Sequence, residues 1–191
     1  MDLFNTLKKI SFEGKIAIEL IQQSNIFPGD TIFYDEILGE EISSDGRRIW
    51  HGKAIDKLKD TEVLFLDPDN GLIPKTRPKI KDRIKYVLYQ ETADYLHTGK
   101  SVICFQYRHR PTDGTGEKSL VRYKELVETV RRQGNYNVRC IAMTFNMNIP
   151  EGAIAVDYLF FVQMEHYNII NACELFDKTS WTGVIHILGD L

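Results

Sequence analysis

A mostly parallel α/β sheet with helices on both faces is the fold class this sequence predicts. Two stretches, "EVLFLD" (62–67) and "SVICFQY" (101–107), are apolar throughout instead of alternating, as strands covered on both faces are. A helical stretch separates them and a strongly amphipathic one follows, and strands alternating with helices give parallel sheets. Beyond these, "VRCIAMTF" and "AVDYLFFVQM" are joined by the short "NMNIPEG", which suits a hairpin and is too short for a helical crossover, so a C-terminal antiparallel strand pair closes the order. The 191 residues suffice for one sizeable core, and the chain is read as a single α/β domain over residues 1–191.

Each element has its own signal. Leu3, Leu7, Ile10, Ile16, Ile18, Leu20 and Ile21 suit one or two helices over residues 2–24, broken near Gly14. "TIFYDEIL" (31–38) reads as a short strand and "EEISSDGRR" (40–48) as a polar loop. "IWHGKAIDKL" (49–58) fits a helix with Ile49, Ala54, Ile55 and Leu58 on one side. After the 62–67 strand comes a lysine-rich loop (74–85), then a helix with Val87, Leu88, Ala93, Tyr95 and Leu96 that Gly99 stops. The 101–107 strand leads into "RHRPTDGTGEK" and a helix over 119–134, whose Leu120, Tyr123, Leu126, Val127 and Val130 form one stripe ending at Gly134. The last segment, "NIINACELF…TGVIHILG", carries no clear period.

Composition excludes several function classes. The chain is 43% hydrophobic with a net charge of −3, so a nucleic-acid partner needs a local basic patch. No apolar run reaches the roughly 18 residues that cross a bilayer. The first residues lack the order of charge, apolar run and cleavage site of a secretory signal, which places the protein in the cytoplasm. Cys104, Cys140 and Cys173 are widely spaced and read as buried free thiols. No HxxxH or HxH spacing suggests zinc, no G-x-S-x-G suggests acyl transfer, and "TDGTGEK" lacks the frame of a phosphate-binding loop.

The polar ends of the two apolar strands are where chemistry is expected, because ligands of open α/β sheets bind beyond the carboxyl ends of the strands. One end carries Asp67, Asp69 and Asn70; the other carries Gln106, Arg108, His109 and Arg110. A turn alone accounts for Asp-Pro-Asp-Asn-Gly. Two acids straddling a proline after an apolar strand also suit hard-oxygen chemistry. Asp67, Asp69 and Glu91 would hold Mg²⁺ in a metal-dependent nuclease or phosphodiesterase, with Gln106 or His109 completing the shell. Lys75, Arg77 and Lys79, together with Gln106, Arg108, His109 and Arg110, form a basic rim able to contact phosphates of a nucleic acid or nucleotide.

"LFLDPDNG" resembles the D-P-P-Y/F motif of class I methyltransferases that act on exocyclic amino groups, a motif found at the end of that family's fourth strand. The order that follows is similar too: helix, strand 101–107, helix 119–134, then the antiparallel pair 138–145 and 154–163. The nearest likeness is the 23S rRNA adenine-N6 methyltransferase type, with the three-Cys-motif partner proteins and an uncharacterised bacterial and phage set carrying "DPDNG" as further ones. The resemblance covers roughly residues 60–165 and implies a Rossmann-like sheet and S-adenosylmethionine as cofactor. It implies Asp67 as acceptor for the target amine, with Asp69 and Asn70 at the positions of the second proline and the aromatic that stacks on the flipped base. For the cofactor, "YDEILGEE" (34–41) offers Asp35 and Gly39, one glycine among four acids. The function expected is thus nucleic-acid amino methylation, or that of a degenerate descendant. The metal-dependent nuclease and a non-catalytic nucleotide- or partner-binding protein on the same fold are the alternatives.

Overall fold

The computed structural model of the chain describes residues 22–23, 26–39, 42–74, 78–108, 117–134, 137–149, 152–179 and 184–191. Contacts divide the chain into two compact units, residues 1–38 with 42–60, and residues 39–41 with 61–191. Among the described residues no helix is long and apolar enough to cross a membrane.

In the first unit, α1 spans Ser44–Lys57. It starts earlier than its apolar residues suggest, because Ser43 caps it: the Ser43 Oγ accepts the Gly46 N–H at 3.0 Å and Asp45 sits in the positively polarised first turn. The inward stripe is Arg47, His51, Ala54 and Leu58, a helical i, i+4, i+7 spacing, whereas Ile49, expected inside, is 59% exposed. Residues 31–38 do not form the expected strand. Their polar groups bond to α1 instead: the Tyr34 hydroxyl donates to Trp50 O at 2.8 Å and the Trp50 indole donates to Glu36 O at 2.7 Å, with the two rings edge to face at 5.3 Å. Of the helix expected over 2–24, only Gln22 and Gln23 are described, and both are helical.

In the second unit the strands are β1 (Val63–Leu66), β2 (Gly71–Leu72), β3 (Tyr86–Val87), β4 (Ser101–Tyr107), β5 (Val138–Ile149), β6 (Gly152–Gln163) and β7 (Ile185–Asp190). The helices are α2 (Tyr89–His97), α3 (Glu117–Arg131) and α4 (Asn168–Asp177). Five strands form one sheet in the order β1-β4-β6-β5-β7, and β2 and β3 form a small parallel pair. The expected strand pair is present and longer than predicted, running in register from Val138 opposite Gln163 to Ile149 opposite Gly152.

The α/β class holds, but the sheet is not mostly parallel. Among the described strands of the large sheet, β1 with β4 is the one parallel pairing; β4 with β6, β5 with β6, and β5 with β7 are antiparallel. The reason lies in what a continuous apolar run reports. A central strand such as β4 is covered on both faces whatever its direction, so its apolar run is silent about direction. Strand β1, expected to be covered on both faces, is an edge strand of the described sheet with Val63 and Phe65 exposed. The unpatterned C-terminus supplies α4 and the edge strand β7.

Alternation sorts the sheet into two faces. Val102, Cys104, Leu159, Phe161, Cys140 and Ala142 are buried on the face shared with Tyr123, whose hydroxyl reaches Asp157 from α3. The other face carries Ile141, Met143, Phe160 and Val162 against Ile170 and Cys173 of α4. Helix α2 stops as expected: Gly99 adopts φ +79°, a left-handed conformation glycine takes without strain. All three cysteines are buried and free.

Phe161 is fully buried at the centre of the α3-covered face. Phe161→Ala is expected to cost about 3–5 kcal/mol by loss of transfer energy and cavity formation, measured as a lower urea midpoint at unchanged slope.

Candidate functional site

The parallel pairing of β1 and β4 puts Leu66 beside Cys104, so both strands end at the same edge of the sheet. Asp67 is the first residue past β1 and is exposed, as is Asp69. Burial of part of its surroundings, and the neighbouring Asp69 carboxylate, raise the Asp67 pKa above the usual carboxylate range. The Asp67 charge in turn helps to raise both the Tyr158 phenol and the Cys104 thiol, burial being the larger cause in each.

The turn behind Asp67 is fixed by one side chain. Gln106 is fully buried; its Nε2 donates to Asn70 O at 3.1 Å and its Oε1 accepts the Leu72 N–H at 3.0 Å. The amide thus imitates a strand neighbour for residues 70–72. Between them Gly71 adopts φ +97°, and a Cβ there would lie 2.5 Å from the Gln106 amide carbon, so glycine is required on both counts. Asn70 N–H also donates to Lys85 O at 3.0 Å, tying the basic 79–85 segment to the same turn.

The structure reassigns several residues expected to bind ligands. Gln106 faces the turn and not a phosphate. Arg108 is 6% exposed and directs its guanidinium inward: Nε donates to Asp157 Oδ2 at 2.8 Å, and one terminal nitrogen donates to Asp157 Oδ1 and to Thr144 Oγ1, the latter at 2.7 Å. The Tyr123 hydroxyl donates to the same carboxylate. A guanidinium so occupied is spent on the core. Glu91 is likewise engaged: its Oε2 accepts the Leu88 N–H at 2.8 Å at the start of α2. Among the described residues no three His, Cys, Asp or Glu side chains are grouped so as to hold a metal, so the expected Asp67, Asp69 and Glu91 set does not assemble.

Lys79 is exposed at the start of the 3₁₀ turn Ile80–Lys85, as a phosphate contact requires. Lys75, Arg77, His109 and Arg110 lie outside the described residues. Asp35 is exposed in a segment that is not a strand, and at Gly39 an added Cβ would meet nothing within 4 Å.

Two groupings escaped the sequence reading. One is the polar row Gln106, Asp157 and Thr144, directly opposite one another across β4, β6 and β5. Its signal was a polar residue inside each of three largely apolar strands, among other polar residues of the same strands, and only the register aligns them. The other is an aromatic cluster. The Tyr158 ring lies 5.9 Å from Phe65, 5.9 Å from Phe105 and 5.1 Å from Phe145. Comparison of the chain with family models, curated proteins and solved structures finds no match.

This geometry sets two stability outcomes. Arg108→Met leaves the Asp157 carboxylate buried without its cation and is expected to cost about 3–5 kcal/mol in chemical denaturation. A raised folded-state pKa means that the neutral Asp67 is favoured on folding; that contribution is present at low pH and lost as pH rises through the folded value. Asp67→Asn is therefore expected to melt above the wild type at pH 7, with the difference closing as pH falls into the carboxylate range.

Proposed function

We propose that the chain recognises a nucleobase through its exocyclic amine at Asp67, as a nucleic-acid amino methyltransferase or a degenerate descendant of one. The observation that carries this reading is the placement of Asp67: an exposed acid at the carboxyl end of β1, beside the parallel β4, on a turn that Gln106 holds rigid. A carboxylate there accepts an amine N–H, and holding it in one place makes that acceptance selective.

The element order supports the lineage. After β1 and the short β2–β3 pair, the chain runs helix, strand, helix and antiparallel pair, the order that the methyltransferase resemblance implies. Since β6 is antiparallel to both β4 and β5, the strands β1, β4 and β5 share one direction, and we read them as a Rossmann-like remnant. The exposed Lys79 and Lys85 supply positive charge for a phosphate near the turn.

S-adenosylmethionine, the donor this lineage implies, does not fit Asp35 and Gly39 as they stand. A cofactor loop at a strand end needs a strand, and residues 31–38 are fastened to α1 instead. The descendant that binds without transferring a methyl group is therefore the favoured form. Thermal shift with S-adenosylmethionine separates the two, because a ligand at 100 times its Kd stabilises by about 2.7 kcal/mol.

The amine reading is tested by fluorescence anisotropy with two short single-stranded RNA oligonucleotides, one of adenosine and one of inosine, which replaces the amine with a carbonyl oxygen. Adenosine is expected to bind about tenfold tighter or more. Since the ionised carboxylate accepts an amine N–H more strongly than the neutral acid does, affinity should climb as pH rises through the raised pKa of Asp67, and Asp67→Ala should erase both the preference and the pH response. Equal binding of the two oligonucleotides by the wild type would sink the reading.

A further inference from the structure

The motif that Asp67 opens has no aromatic at its fourth position, where Asn70 stands, yet base recognition needs a surface for the ring as well as an acceptor for the amine. The fold supplies such a surface from other strands. Phe65 precedes Asp67 by two residues, and extended backbone carried one residue past the end of β1 would set both side chains on the same face, where neighbouring residues lie roughly 6–7 Å apart. Phe65 is 56% exposed, a costly state for a phenylalanine on an edge strand. Helix α4 covers this face over β5, β6 and β7, where Ile170 and Cys173 pack, and leaves Phe65 open.

Phe65 is also braced. Tyr158 reaches it from β6 at a centroid separation of 5.9 Å with the rings tilted 35°, and Tyr158 is itself held edge-on by Phe105 and Phe145. Four rings from four strands form one cluster, and a flat ring that meets it would find Phe65 as its open face and Asp67 at its rim.

We propose that Phe65, braced by Tyr158, is the stacking residue for the base whose amine Asp67 accepts, which makes the ligand an unpaired base of a single-stranded nucleic acid. This inference rests on the amine reading above. A paired base keeps its faces against its neighbours in the duplex, so only an unpaired one can lie on Phe65. The exposed Lys79 and Lys85, in the segment bonded to Asn70, suit the polyanionic backbone that such a base belongs to.

The test uses the 191-residue chain and the same adenosine and inosine oligonucleotides. Phe65→Ala removes an exposed ring and should fold as the wild type does, checked by its melting curve. It is expected to bind both oligonucleotides about ten- to a hundredfold more weakly while keeping their ratio, because stacking serves every base alike. Phe65→Trp should restore affinity. A duplex of the same sequence should bind more weakly than the single strand. Wild-type binding that Phe65→Ala leaves unchanged, or a duplex bound as tightly as the single strand, overturns the stacking role alone. A wild type that binds neither oligonucleotide overturns the amine reading and this inference with it.

Discussion

The row formed by Gln106, Asp157 and Thr144 is the constraint on which the second unit depends. Three polar side chains lie at one depth on the face that α3 covers, away from water, where an unsatisfied group costs one to several kcal/mol. Each therefore has to find a partner, and the partners come from elsewhere in the chain. Gln106 takes the backbone of residues 70 and 72; Asp157 takes Arg108 and Tyr123; Thr144 shares with Asp157 one terminal nitrogen of Arg108. The turn after β1, the exit from β4 and helix α3 are all fastened to one edge of the sheet by that need. A buried ion pair of this sort contributes little net stability beside an apolar equivalent. What it fixes here is position, since Arg108 satisfied in this way holds the end of β4 against β6 and β5.

Beside this fully satisfied row stand two residues that the fold leaves unsatisfied. Asp67 carries a charge that its surroundings disfavour, and Phe65 carries apolar area that water surrounds. They lie two residues apart in the chain, at the end of the parallel pairing of β1 with β4, and the proposed site rests on that placement. The surrounding scaffold supplies the rigidity, because the Gln106 amide and the required glycine at residue 71 leave the turn a single conformation.

Much of this was legible in the sequence and some of it could not have been. The continuous apolar runs located β1 and β4, the stripe on Tyr123, Leu126, Val127 and Val130 located α3, and the short link between the last long strands gave their antiparallel pairing. The direction of the remaining pairings was hidden, since burial on both faces is silent about direction. The apolar pattern at 31–38 misled because Tyr34 packs against Trp50 and Phe33 against Phe27, while Ile32 and Ile37 are exposed, so none of them reports a ladder. At the site, Asp67 was visible by its contrast with the strand before it. Arg108 and Gln106 were misassigned for the opposite reason: a polar residue at a strand end looks the same in sequence whether it faces solvent or a buried carboxylate. Only the register, which sets Asp157 opposite Gln106 and Thr144, tells the two apart.

The antiparallel character of the sheet, which departs from the expected topology, is also what completes the site. In an open sheet whose strands all run the same way, the edge beyond the carboxyl ends receives only the last residues of each strand. Here β6 enters between β4 and β5 in the opposite sense, so residues from its own interior, Asp157 and Tyr158, arrive opposite Gln106 and Phe105 near that edge. Alternation then sends Asp157 to the face that α3 covers, where it anchors Arg108, and Tyr158 to the face that α4 partly covers, where its ring meets Phe65. Adjacent residues of one reversed strand thus serve the scaffold and the site at once. An exchange of register by one residue would swap the two faces, burying the phenol and exposing the carboxylate. The hairpin that sets this register, paired without a break from Val138 to Ile149, is therefore as much a part of the site as the acid at the end of β1.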